Sequence, residues 1–211
     1  MKIQRVEFPC GQITLEGMIS LPEGMGPFAL VVLCHPHPLY GGNMFNNVVH
    51  AVCESSWGRG MAWLKFNFRG VGKSGGKYSD GPGEEEDALA AISFGERQER
   101  IDPEKIGICG YSFGSKIALA AAVADPRIKA VAGISPFIQP ADLLNRYVRP
   151  KLFVTGALDE FVDAANLEKQ VHSLPDPKEL VIYPGVDHFW TKDEDSMAEK
   201  VGQFFRKSFE L

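Results

Sequence analysis

The segment KIGICGYSFGSKIALAAAVAD (105–125) constrains the chain more than any other. A short apolar run leads straight into Gly110-Tyr111-Ser112-Phe113-Gly114, and an alanine-rich stretch follows with no residues between. Strand, tight turn and helix joined this closely leave no room for side chains two residues either side of the serine. Glycine at 110 and 114 meets that demand, and the pattern is G-x-S-x-G in its required setting. Ser112 is expected in a strained backbone conformation with its hydroxyl projecting over the sheet. The first N–H groups of the helix lie open beneath it, ready for developing negative charge.

The rest of the chain repeats the strand–helix alternation. The segments 28–34, 62–68, 105–110, 128–135, 151–156 and 179–184 are short, apolar and rich in β-branched or aromatic residues, as strands buried on both faces of a parallel sheet are. Helices are expected near 44–57, 84–97, 113–124, 162–173 and 192–209. The N-terminal stretches IQRVEF and ITLEGMIS alternate with period two, which predicts an antiparallel hairpin around Cys10-Gly11. The expectation is an α/β fold: a mostly parallel sheet of about eight strands, helices on both faces, and one domain over 1–211. Such sheets place their ligands at the carboxyl ends of the strands, where Gly and Pro cluster here.

With 211 residues the chain can bury a sizeable core without metals or disulfides. Its formal charge of −5 argues against a nucleic-acid partner, and no basic run suggests a membrane surface. No stretch resembles a signal peptide or a membrane span. Cys10, Cys34, Cys53 and Cys109 are scattered without a C-x-x-C pair, so they read as reduced thiols in a cytoplasmic protein.

Two other features compete with the serine turn. NFRGVGKSGG spells G-x-G-x-x-G at Gly70, Gly72 and Gly75, but the following GGKYSDGPG cannot start the helix that a phosphate needs. It reads as a structural turn that lets Arg69 make hydrogen bonds. The acidic run Glu84–Asp87 reads as a solvated helix start that suits the helix dipole.

A serine nucleophile needs a base and an orienting carboxylate, which follow it in the order acid, then histidine, in this architecture. Asp159 lies just past the strand 151–156 in ALDEFVD, with Glu160 and Asp163 as alternatives; Asp163 fits better as a helix N-cap. His188 lies in GVDHFW beyond the last strand, whereas His50 and His172 fall inside helical segments. The constellation is Ser112, Asp159 and His188.

CHPHPLYGG (34–42) is the loop that should supply the second oxyanion donor. Pro36 and Pro38 have no N–H, so only His37 can donate between them, and the prolines fix φ on both sides. The backbone N–H groups of His37 and Phe113 are therefore the expected oxyanion hole. A metal site at His35 and His37 is disfavoured because no further ligands fall at known spacings. The His35 side chain is expected to be buried and to brace the loop.

The strand with HPHPLYGG, FNFRGVGKSGG, GYSFG, GALDEFV and GVDHFW together resemble the small α/β-hydrolase fold proteins, distant relatives of the dienelactone hydrolases that are usually called predicted esterases. The resemblance spans nearly the whole chain, although position 112 is serine where dienelactone hydrolases proper carry cysteine. It implies a Ser–His–Asp hydrolase without a cofactor, acting on a small-molecule ester as a monomer or homodimer. The same triad would serve a thioesterase or amidase, and a non-catalytic binding protein on this fold is the remaining alternative. The segment 136–149, where many α/β-hydrolases insert a lid, has room for about one short helix and two turns, so no cap domain is expected. Cover must then come from nearby loops, with Leu39, Tyr40, Phe113, Phe137, Phe161 and Trp190 as the apolar candidates, each of which would fit the core equally well.

Overall fold

The computed structural model describes residues 1–211. Eight strands form one sheet: β1 (Ile3–Cys10), β2 (Ile13–Ser20), β3 (Phe28–Cys34), β4 (Ala62–Phe66), β5 (Ile101–Tyr111), β6 (Ile128–Ile134), β7 (Lys151–Gly156) and β8 (Lys178–Tyr183). Five helices join them: α1 (Asn47–Gly58), α2 (Pro82–Glu96), α3 (Phe113–Ala124), α4 (Ala164–Ser173) and α5 (Glu194–Ser208). The strand order is β1-β2-β4-β3-β5-β6-β7-β8. The β1–β2 hairpin is antiparallel, as its period of two implies, and β2 also runs antiparallel to β4. All pairs from β4 to β8 are parallel. This is an α/β-hydrolase fold.

The two faces of the sheet bury separate cores, and β3 shows how one strand serves both. Leu30, Val32 and Cys34 join a cluster that includes residues of α2, α3 and α4. Ala29, Val31 and Leu33 alternate with them and join a second cluster with residues of α1 and α5. A strand covered on both faces must be apolar at every position, which is why the central segments read as unbroken apolar runs. No helix is long and apolar enough to cross a membrane.

Several boundaries differ from the sequence reading. β5 begins at Ile101 because this residue pairs with Phe28, with a register irregularity before Leu30. α1 begins at Asn47, where the Asn46 side chain accepts from the Val48 N–H. α4 begins at Ala164 because Asp163 caps it, accepting from Ala165 and Asn166. The β6–β7 connection holds turns and no helix.

The acidic start of α2 is not merely solvated, contrary to expectation. Glu84 and Asp87 are fully buried. Glu84 accepts from the backbone N–H groups of Ser79 and Gly81, and Asp87 accepts from the Arg69 backbone and guanidinium. A buried carboxylate is tolerable when donors satisfy it, and these two fasten the 67–81 turn onto the helix. Arg69 thus makes the hydrogen bonds expected of it. All four cysteines are free and buried.

Candidate active site

Ser112 joins β5 to α3 with φ 53° and ψ −120°, the strained conformation that the G-x-S-x-G turn implies. A Cβ on Gly110 would collide with the carbonyl of Gly114, and one on Gly114 would collide with the carbonyls of Cys34 and His35. Contacts outside the turn hold it in place. The Ser112 N–H donates to Ile134 O (2.8 Å), and the Ser115 hydroxyl donates to Ser112 O (2.6 Å).

The parallel strands end together, so the loops after β7 and β8 lie beside this turn. Nε2 of His188 is 3.0 Å from Ser112 Oγ, and its Nδ1 is 2.8 Å from Asp159 Oδ1. The Asp159 carboxylate also accepts from the N–H groups of Phe161 (3.0 Å) and Val162 (2.9 Å). With Nδ1–H donating to Asp159, Nε2 is left to accept the serine proton. Burial pushes the Asp159 carboxyl up, but hydrogen bonds from His188 and Ser135 outweigh it and hold the group below the usual carboxylate range. The Tyr111 hydroxyl ties down the loop by donating to His188 O (2.8 Å). Glu160 is exposed and Asp163 caps α4, which leaves Asp159 as the carboxylate on the histidine. His50 and His172 are exposed on α1 and α4.

The 34–42 loop lies against the same turn. His35 is fully buried, its Nε2 accepts from the Phe68 N–H (3.1 Å), and Nδ1–H donates to Pro36 O (2.6 Å). Burial lowers its pKa to about 4, so it is a neutral brace. A short 3₁₀ turn, Pro38–Tyr40, follows His37. The backbone N–H groups of His37 and Phe113 donate to no protein acceptor. The His37 and Phe113 rings lie 4.9 Å apart. Nowhere do three His, Cys, Asp or Glu side chains gather as a metal site would require.

Comparisons with known proteins supply the family and the fold. The model of the dienelactone hydrolase family matches residues 79–205, more than half of the chain. The chain belongs to the dienelactone hydrolase family. As a member of that family it is 32% identical over 191 residues to an uncharacterized protein of Rickettsia prowazekii, covering 84% of this chain and 78% of that one. An α/β serine hydrolase homologue from Coxiella burnetii superimposes with TM-score 0.86 at 31% identity, covering 96% of this chain and 97% of the other. A serine hydrolase without a lid from Xanthomonas campestris also gives 0.86, at 26% identity, covering 100% and 97%. Family and fold together support hydrolase activity, on a scaffold without a lid.

In this family member a cleft of about 790 Å³ opens over Ser112 and His188. Of the residues expected to cover it, Tyr40, Phe113, Phe137 and Phe161 line it. Leu39 does not: it stands 67% exposed on the 3₁₀ turn. Trp190 does not either; it is fully buried in the core shared with α1 and α5. Its φ of 60° turns the chain, and its indole N–H donates to Ser135 Oγ (3.1 Å). Tyr78, Asp80, Lys116 and Phe189 also line the cleft and escaped the sequence reading. Tyr78 and Asp80 sit in the Gly-rich stretch after β4, where turn residues mask every other signal. Lys116 lies one turn into α3, two residues after Gly114 closes the motif.

Proposed function

We propose that this chain is a serine hydrolase that cleaves small carboxylic esters through an acyl-enzyme. The observation that carries the reading is the continuous hydrogen-bonded line Ser112–His188–Asp159 at the floor of an open cleft. Ser112 Oγ attacks the ester carbonyl carbon while His188 Nε2 takes its proton, and Asp159 holds the imidazole and stabilises its cation. The carbonyl oxygen becomes an oxyanion that accepts from the backbone N–H groups of His37 and Phe113. Collapse breaks the carbon–oxygen bond to the leaving group, which departs as an alcohol with the proton from His188. Water then attacks the acyl-enzyme with His188 again as base, releasing the acid and restoring Ser112.

The same groups would cleave a thioester or an amide, since nothing in the triad discriminates between leaving atoms. A panel of p-nitrophenyl esters, acyl-CoAs and aminoacyl anilides at equal acyl length tests the assignment. Highest kcat/KM on the esters is expected. Preference for acyl-CoA would make the enzyme a thioesterase. Turnover of none, together with no labelling of Ser112 by a fluorophosphonate, would leave a binding protein on a hydrolase fold.

A further inference from the structure

The side chain of His37 is held from outside its own loop. Tyr78, in the stretch between β4 and α2, places its hydroxyl 3.0 Å from His37 Nε2 and 2.9 Å from Asp80 Oδ1. At its other nitrogen, Nδ1, His37 accepts the Leu39 N–H (3.2 Å). A neutral imidazole that accepts at Nδ1 carries its proton on Nε2, so His37 donates to the Tyr78 oxygen. The phenolic proton is then free to go to Asp80. Every donor and acceptor is matched in one direction, from the Leu39 N–H to the Asp80 carboxylate. Burial, with the Asp80 hydrogen bond added, raises the Tyr78 pKa to about 12 and keeps the phenol a donor.

The far end of this chain is itself fixed under strain. Asp80 has φ 57°, a region that non-glycine residues rarely occupy. The amides on both sides of it, Ser79 N–H and Gly81 N–H, each donate to the buried Glu84 carboxylate at 2.8 Å. Strain held this firmly recurs where a side chain must be aimed. Tyr78 also packs on Phe113, with ring centroids 5.8 Å apart, and on His37 at 5.1 Å. One side chain therefore touches both residues whose backbone N–H groups face the reacting carbonyl in the ester mechanism.

We propose that Tyr78 is a positioning residue for the oxyanion-binding loop, acting through the His37 imidazole and anchored by Asp80. The proposal rests on the hydrolase reading above. Hydrogen-bond donors of an oxyanion hole are useful only where the charge develops, and a displacement near 1 Å can cost about 100-fold in rate. The imidazole is the handle by which the backbone N–H of His37 is oriented.

The test is a double-mutant cycle on a short p-nitrophenyl ester with Tyr78→Phe, His37→Ala and the pair. Tyr78→Phe keeps the ring and removes the hydroxyl; kcat should fall roughly 10-fold with KM within about twofold, as for a group that acts in the transition state alone. In the His37→Ala background the same change should cost less than about twofold, because the handle is already gone. Asp80→Asn should show a weaker form of the same kcat loss. ¹⁵N shifts of the His37 ring should report the Nε2–H tautomer in the wild type and a mixture in Tyr78→Phe, a readout that needs no turnover. An unchanged kcat, a loss confined to KM, or an equal loss in both backgrounds would overturn the proposal even with the tautomer as expected. A wild type that turns over no ester and takes no fluorophosphonate label would overturn the hydrolase reading, and the proposal with it, whatever the ring shifts show.

Discussion

Gly114 lies directly against the carbonyl oxygen of Cys34, so closely that a Cβ would overlap it. This contact locks the turn that carries Ser112 to the first residue of the 34–42 loop. It thereby sets the spacing between the N–H groups of Phe113 and His37, one on each side of the contact. Gly114→Ala must push these backbones apart. Overpacking of this kind costs about 1–3 kcal/mol of stability. Activity should fall further than that loss explains, because the two proposed oxyanion donors move apart. Urea midpoints measured beside kcat will show this; a destabilised variant with normal kcat would separate the contact from the site.

The proposed triad makes the sharpest demand. Ser112→Ala should abolish ester hydrolysis with near-UV circular dichroism unchanged, since such triads account for a factor on the order of a million. His188→Ala should fail comparably, and Asp159→Asn should keep more, because the acid orients and does not react. A Ser112→Ala protein with a tenth of wild-type activity would remove Ser112 from the mechanism. Ser112→Gly adds a second readout. At φ 53° glycine relieves the strain, so stability should rise by about 1 kcal/mol while activity vanishes.

His37 separates backbone from side chain. Its φ of −55° and ψ of 121° suit proline, so His37→Pro fits the loop and deletes the N–H. Loss of one oxyanion donor should cost about 2.7–4 kcal/mol in the barrier, or 100- to 1,000-fold. His37→Ala keeps the donor and loses only its orientation, so substantially more activity should survive. Equal losses in the two variants would place the chemistry on the imidazole instead.

The elements that sequence made legible are those whose residues have one conformational use. Glycines flanking Ser112, a donor between two prolines and an acid and a histidine after successive strands each point to a place in the fold. The sheet's central strands were equally plain, because burial on both faces leaves no polar position. Trp190 differs from expectation because an aromatic side chain fits a cleft wall and a core alike, and Leu39 because an apolar residue on a short surface turn can face solvent; in both cases only the chain path decides. The acidic start of α2 misled because a charge run is usually solvated, whereas Glu84 and Asp87 are satisfied by donors from a loop that periodicity cannot locate. Tyr78 was hidden in that same loop.

His35 should make stability depend on pH. Burial lowers its pKa to about 4 from an ordinary value near 6.5, so between these limits the unfolded chain binds more protons than the folded one. Stability is then fully present above about pH 6.5 and is lost as pH falls toward 4, by on the order of 3 kcal/mol in all. Burial also lowers the His37 pKa, but this residue is only partly buried and should contribute less. Asp159 lies below the usual carboxylate range and acts only in stronger acid. His35→Gln can still accept from the Phe68 N–H and does not titrate. Urea midpoints at steps from pH 7 to 4 should show the wild type falling more steeply than the variant; parallel curves would mean that His35 charges without cost.

The missing lid should set the range of acyl chains. The segment 135–150, between β6 and β7, contains turns and no helix, and of its residues only Phe137 and Gln139 line the cleft. Phe161 and Phe189 stand at the rim, more than half exposed, with ring centroids 6.4 Å apart. An acyl chain leaving Ser112 therefore meets apolar walls for a short distance and then water. Each methylene buried against those walls contributes about 0.8 kcal/mol, and each beyond them contributes nothing. kcat/KM should accordingly rise from acetyl toward hexanoyl p-nitrophenyl esters and gain nothing further from longer chains, whose added carbons make no contact. Emulsified substrate should give no jump in rate, since no lid has to open at an interface. A series from acetyl to palmitoyl decides the matter: a maximum at dodecanoyl or beyond would require a closed tunnel that the open cleft over Ser112 does not provide.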